Sequence, residues 1–156
     1  MHDNLKLLVK FYTGFAALKA DEMNSCYDER AEFSDPIFGD LDYEKTTAMW
    51  SMLTSSAENF ELKFTNVKAD DDTGSVEWIA TYTFSKTGHK VTNRVRSQFY
   101  FHHGRIIRQF DYFDLLQWSR QALGPTGWLF GWCTFFKRGI TKGALEKLSA
   151  YQIKAR

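Results

Sequence analysis

From Asn59 to Phe113 apolar side chains recur at every second position, and this change of period does most to limit what the chain can fold into. A period of two places successive side chains on opposite faces of a strand. Four such runs, Phe60 to Ala69, Ser75 to Ser85, Lys90 to Phe101 and Arg105 to Phe113, are separated only by Asp70-Asp71-Asp72-Thr73-Gly74, Lys86-Thr87-Gly88-His89 and His102-His103-Gly104. Connectors this short do not cross over a sheet, and each holds a glycine that can take positive φ, so the runs predict an antiparallel meander.

Upstream the spacing is three-and-four. Asp3 or Asn4 caps a first helix with Leu5, Leu8, Val9, Tyr12, Phe15 and Ala16 on one face, ending near Lys19. Asp21 caps a short second helix through Met23, Cys26 and Tyr27. Ala31 to Asp35 reads as a brief strand stopped by Pro36, and a third helix starts at Asp40 or Asp42 with Thr46, Met49, Trp50 and Leu53 on one side. Met49 and Trp50 read as core. Helices first and a meander second is an α+β plan, a curved sheet wrapped around a helical layer.

A chain of 156 residues suits one domain that buries about 70% of its unfolded surface. With aromatics at 17%, it has material to line an apolar cavity. The net charge of +1 gives no sign of a nucleic-acid partner. Two distant cysteines and an N-terminus that opens a polar helix, unlike a signal peptide, point to a reducing, cytoplasmic setting. No run of about 18 apolar residues is present to span a membrane.

Metal and cofactor chemistry find no motif. His89, His102 and His103 fall in hairpin turns without a third ligand at suitable spacing, and Asp70 to Gly74 lacks the ligand spacing and terminal glutamate of a calcium loop. There is no glycine-rich phosphate loop and no Ser-His or Cys-His signature. Neither a cofactor nor a bound metal is expected.

Two carboxylates remain. In Gly104 to Leu115, Ile107, Gln109, Asp111 and Phe113 alternate with Arg108, Phe110 and Tyr112, so Asp111 shares a strand face with an aromatic. Such an acid is either a pocket carboxylate or half of a salt bridge. In Phe33-Ser34-Asp35-Pro36, the proline biases Asp35 towards an extended backbone, so the side chain either stands off a strand end into a cavity or turns the chain.

The order of elements, Phe33-Ser34-Asp35-Pro36-Ile37-Phe38-Gly39 and the Gly104–Leu115 run together resemble the nuclear transport factor 2-like superfamily, with its SnoaL-like polyketide cyclases, ketosteroid isomerases and limonene-epoxide hydrolases. The resemblance covers about residues 5 to 124. It implies a cone-shaped α+β fold for a domain over 1–124; the helical extension over 125–156 departs from that plan. It puts Asp35 where the isomerases keep a proton-shuttling aspartate, and Asp111 on the acid-base aspartate of the epoxide hydrolases. Phe11 stands at the isomerases' oxyanion tyrosine with Tyr12 one residue off, Ser97 replaces their protonated aspartate, and Trp78 and Ala80 replace the Arg and Asp of the hydrolase triad.

The same register implies an inward face carrying Trp78, Tyr82, Asn93, Ser97, Phe99 and Phe113, with Tyr82, Asn93 and Ser97 orienting a substrate oxygen; Tyr12 of the first helix is expected to join them as a substrate contact. A concave site of roughly 300–1,000 Å³ holding both acids is expected. The implied function is binding of a small, largely apolar, oxygenated molecule. Catalysis would be cofactor-free isomerisation, cyclisation or epoxide opening through Asp35 and Asp111; the alternative is a non-catalytic ligand-binding or protein-interaction module. The inward aromatics serve either as core or as ligand contacts. Relatives of this fold commonly dimerise through their sheets, and an outer face of Arg94, Arg96, Gln98, Tyr100, Arg108, Phe110 and Tyr112 suits a homodimer.

After Gly124-Pro125-Thr126-Gly127 come two apolar helical stripes: Trp128, Leu129, Trp132, Phe135 and Phe136, then Ile140, Ala144, Leu148 and Tyr151. Residues 128 to 156 carry six Lys and Arg (Lys137, Arg138, Lys142, Lys147, Lys154, Arg156) against Glu146, or +5, leaving −4 on the rest. The extension is expected to pack on the domain or a dimer, shielding Trp128 and Trp132; peripheral contact with an anionic membrane is the alternative.

Overall fold

The computed structural model describes residues 1–155, with helices α1 (Asp3–Ala16), α2 (Ala20–Asn24) and α3 (Tyr43–Ser56) set against a six-stranded sheet. The strands are β1 (Tyr27–Asp35), β2 (Gly39–Leu41), β3 (Glu61–Ala69), β4 (Thr73–Phe84), β5 (His89–His102) and β6 (Arg105–Tyr112), in the order β2-β1-β6-β5-β4-β3. The meander forms as its period predicts. The sheet is curved and unclosed, and β1 is its exception, lying parallel to β6 although the rest is antiparallel.

The cap of α1 is His2, whose Nδ1 accepts the Asn4 N–H at 3.0 Å, and the helix stops at Ala16. Asn4, expected as a cap, is buried instead, with its amide donating to the carbonyls of Asp70 and Asp71 and tying α1 to the β3–β4 turn. Lys19 precedes α2, so Asp21 lies inside its first turn; Tyr27, expected in that helix, opens a longer β1. Asp42 caps α3 by accepting from the Lys45 N–H at 2.9 Å.

The β3–β4 connection turns without its glycine. Asp70 Oδ1 accepts from the N–H groups of Asp72 and Thr73, while Gly74 belongs to β4. A register shift between Tyr100 and Phe101 brings Ile106, rather than Ile107, into the interior. An extra residue on one strand reverses the facing of everything beyond it, so Gln109 and Asp111 point inward with Ile106 on the other side of the bulge.

Leu8, Phe11, Tyr12 and Phe15 of α1 bury their ridge against Trp78, Val76 and Phe99 of the inner sheet face, and Met49 and Trp50 of α3 close the layer as core residues. Helices α4 (Leu115–Leu123), α5 (Pro125–Phe130) and α6 (Thr134–Ala155) follow. Trp118 and Ala122 of α4 build a second cluster with Val91, against which Ile37, Tyr82, Phe84, Phe113 and Ile140 pack. Leu148, with Ala144 and Tyr151, packs α6 back on the main core. Arg156 lies outside the described residues.

Candidate functional site

Asp35 and Asp111 converge because β1 and β6 run parallel. Phe33 pairs with Gln109 and Ser34 with Phe110, so Asp35 stands one position further along, beside Asp111. Phe33 and Gln109 are buried inward, and two residues on the same face recurs. The two carboxylates are therefore neighbours on the concave side.

Each has one oxygen committed. Asp35 Oδ1 accepts the backbone N–H of Ile37 at 2.9 Å and of Phe38 at 2.6 Å, a turn that holds the side chain while Pro36 redirects the chain. The turning reading of Asp35 holds. Burial nevertheless outweighs these two bonds and raises its pKa from 3.8 to about 6.

Asp111 Oδ1 accepts from Ser97 Oγ at 2.6 Å and from Gln109 Nε2 at 3.0 Å. The side chain is 4% exposed and forms no ion pair among the described residues, so the salt-bridge reading fails. Its pKa is pushed up to about 7, by burial first and then by the charge of Asp35, against the lowering effect of its two hydrogen bonds. With Oδ1 accepting two hydrogen bonds, Oδ2 is the oxygen left to carry the proton when the group is protonated.

The donors belong to a buried network. Ser97 Oγ donates its one proton to Asp111 and accepts from Tyr12 Oη at 2.9 Å and Trp78 Nε1 at 2.8 Å, which satisfies every position a hydroxyl offers. On the other side Tyr27 Oη donates to Gln109 Oε1 at 2.5 Å and accepts from Trp50 Nε1 at 2.8 Å. Desolvation drives the pKa of both Tyr12 and Tyr27 well upward, so both stay neutral donors.

Tyr82 is the complementary group. Its hydroxyl accepts from Trp118 Nε1 at 2.9 Å, and its own proton has no acceptor among the described residues. Burial, with Asp35 among its further causes, raises its pKa. It can donate to a ligand oxygen held near Asp35.

The expected site residues thus divide. Tyr12, Trp78 and Ser97 orient Asp111, and Phe113 and Tyr82 pack between the two clusters beside it. Phe99 is fully buried against Phe11 and Tyr12 and belongs to the core. Asn93 is half-buried and makes no side-chain hydrogen bond among the described residues. Gln109, Tyr27, Trp50 and Trp118 complete the network without having been expected there. Gln109 had a usable signal, a polar residue on the inward parity of a strand; Tyr27 was hidden by being read as helical.

Two surface depressions, of about 330 and 320 Å³, are lined by neither carboxylate. The first is bordered by Pro36, Leu115, Thr134, Lys137, Arg138 and Thr141, immediately next to Asp35 in the chain. The second lies between α3 and the end of α6.

Residues 8–109 match the model of the SnoaL-like domain. No curated protein is a significant sequence match. Among solved structures, a protein described as a SnoaL-like polyketide cyclase from Jannaschia aligns with a TM-score of 0.68 at 15% identity, over 79% of this chain and 93% of its own. An LEH-like epoxide hydrolase of M. tuberculosis gives 0.65 at 17%, over 78% and 90%. A protein with a ketosteroid isomerase-like fold from Catenulispora acidiphila, solved with trimethylamine, gives 0.67 at 12%, over 78% and 95%. Identities this low establish the cone fold and leave the chemistry to the site.

Proposed function

The chain belongs to the SnoaL-like domain family, and from that premise we propose that it binds a small, largely apolar, oxygenated molecule and moves a proton on it with Asp35 and Asp111. The observation that carries this reading is the pair of adjacent inward carboxylates, raised to about 6 and about 7, each with one oxygen tied down and the other uncommitted. Neighbouring acids with separated pKa values divide roles. Near neutral pH Asp35 is the ionised base, while Asp111 is partly protonated and, with Tyr82, donates to the substrate oxygen. A base and an acid placed in this way can serve abstraction of a proton beside a carbonyl, aldol-type ring closure or epoxide opening without a metal or an organic cofactor.

An asparagine at 111 would satisfy Ser97 and Gln109 equally well and would not carry a buried charge. An ionisable group retained where it weakens the fold is the usual mark of a functional site. A second reading, a ligand-binding module without catalysis, draws on the saturation of Asp111 Oδ1 and of Ser97 by protein donors.

5-Nitrobenzisoxazole, which opens when one carbon-bound proton passes to a base, separates the readings. Ring opening by the intact protein should rise as pH passes about 6 and drop by about a hundredfold or more in Asp35→Asn. Equal rates in the two proteins would leave only the binding module, whose ligand mass spectrometry of copurifying small molecules would identify.

For the assembly we infer a homodimer through the outer sheet face, where Tyr100 and Tyr112 are 41% and 51% exposed, Tyr112 stacked on Phe110 and Tyr100 edge-on to it. Arg94 and Arg96 flank this row. A cytoplasmic setting fits two cysteines that are both unpaired. Among the described residues no helix is long and apolar enough to cross a membrane.

A further inference from the structure

The end of the molecule beyond α4 carries its most exposed apolar surface. Within one chain Trp128 is 63% exposed, Leu129 65%, Phe130 53%, Trp132 70% and Phe135 84%. The expected shielding of Trp128 and Trp132 is thus absent within the chain, and only the later part of α6, at Ile140, Ala144, Leu148 and Tyr151, packs back. Aromatic side chains present on the order of 150–250 Å² each, so this tip exceeds the few hundred Å² of apolar patch ordinary on a soluble monomer.

The tip is held in place rather than trailing. Gly127 and Gly131 lie against α4 so closely that a Cβ would meet the Ser119 carbonyl oxygen at 2.0 Å or Ser119 Oγ at 2.6 Å. Only glycine permits that approach of backbones. Trp132 Nε1 donates to the Leu129 carbonyl at 3.0 Å, leaving the indole no unsatisfied polar atom to keep in water. The Arg120 guanidinium lies 4.3 Å from the Trp128 ring centre.

Charge completes the pattern. From Leu115 to Leu145 the chain has no acid and four bases, Arg120, Lys137, Arg138 and Lys142. Lys137 and Arg138 follow Phe135 and Phe136 directly in α6.

We propose that Trp128, Leu129, Phe130, Trp132 and Phe135 insert into the interfacial layer of an anionic lipid bilayer, with Arg120, Lys137, Arg138 and Lys142 on the headgroups. Indole and phenyl rings backed by cations are the side chains that layer accepts, and an acid-free surface meets no repulsion there. A second copy of the chain fits less well, because a two-fold contact here would set the same four cations against each other.

The test uses the intact protein with vesicles of equimolar phosphatidylglycerol and phosphatidylcholine, and with pure phosphatidylcholine as the comparison. The expected result is sedimentation with the anionic vesicles at least about tenfold stronger than with the neutral ones, weakening as salt rises. Tryptophan emission should shift to the blue and be quenched by brominated lipid. Trp132→Ser combined with Phe135→Ser, at positions exposed in the fold, should lose at least about tenfold in binding with unchanged circular dichroism. Lys137→Glu with Arg138→Glu should abolish the preference for anionic lipid. Failure to sediment with the anionic vesicles at low salt overturns the proposal. So does binding unaffected by the aromatic pair, or a dimer whose tryptophans resist iodide quenching and which ignores vesicles.

Discussion

Replacing Asp111 by asparagine should stabilise the protein at alkaline pH, because it keeps the acceptor for Ser97 and Gln109 and removes a charge held without water. A carboxyl moved from 3.8 to about 7 costs the folded state about 4 kcal/mol once ionised, at about 1.4 kcal/mol per tenfold change in the proton equilibrium. The folded pKa lies above the unfolded one. The carboxyl's contribution is therefore whole below pH 3.8 and is lost as pH climbs to about 7, beyond which the loss is constant. Asparagine mimics the protonated form at every pH. The variant should exceed the natural chain by about 4 kcal/mol at pH 8 but by under about 2 at pH 5. Asp35, raised in the same direction, is present in both proteins and largely cancels in the difference. Urea unfolding followed by tryptophan emission reads this directly, as a midpoint higher by about 2 M at pH 8 for an m-value of about 2 kcal/mol/M. A variant no more stable than the natural chain at pH 8, or a gap of the same size at pH 5, would refute the account of Asp111 as a dry, charge-burying acid.

Two further perturbations test the supports of the site and of the tip. Ser97→Ala removes the one group shared by Tyr12, Trp78 and Asp111, and should cost about 2–4 kcal/mol in urea unfolding. It should also raise the Asp111 carboxyl further in a carbon-13 titration, since the Ser97 bond lowers it. Gly127→Ala forces a Cβ onto the backbone of Ser119 and Arg120. Hydrogen exchange should then quicken over residues 125–136 while β4 to β6 stay protected, at a cost of about 1–3 kcal/mol.

The strands and the two acids were legible in the sequence because their signals are local. A period of two is written into each run from Phe60 to Phe113, and the Asp35-Pro36 and Asp111-Tyr112-Phe113-Asp114 segments carry their acids at strand ends whatever packs on them. The resemblance then supplied the cone and the inward parity of Trp78 and Ser97. Boundaries suffered where two local signals compete, as at Tyr27, which extends the helical spacing of Met23 and Cys26 yet lies in β1. Partnership was out of reach. That β1 runs parallel to β6 and sets Asp35 beside Asp111, that Tyr27 and Trp50 reach Gln109, and that Ser97 joins Tyr12, Trp78 and Asp111 are facts about residues up to 85 positions apart. Hydrophobic spacing says which face a side chain takes and nothing about which strand lies next to it. The aromatic tip failed for the complementary reason. Its helical stripe implies burial, but burial needs an opposing surface, and whether one exists is decided only when the chain has folded.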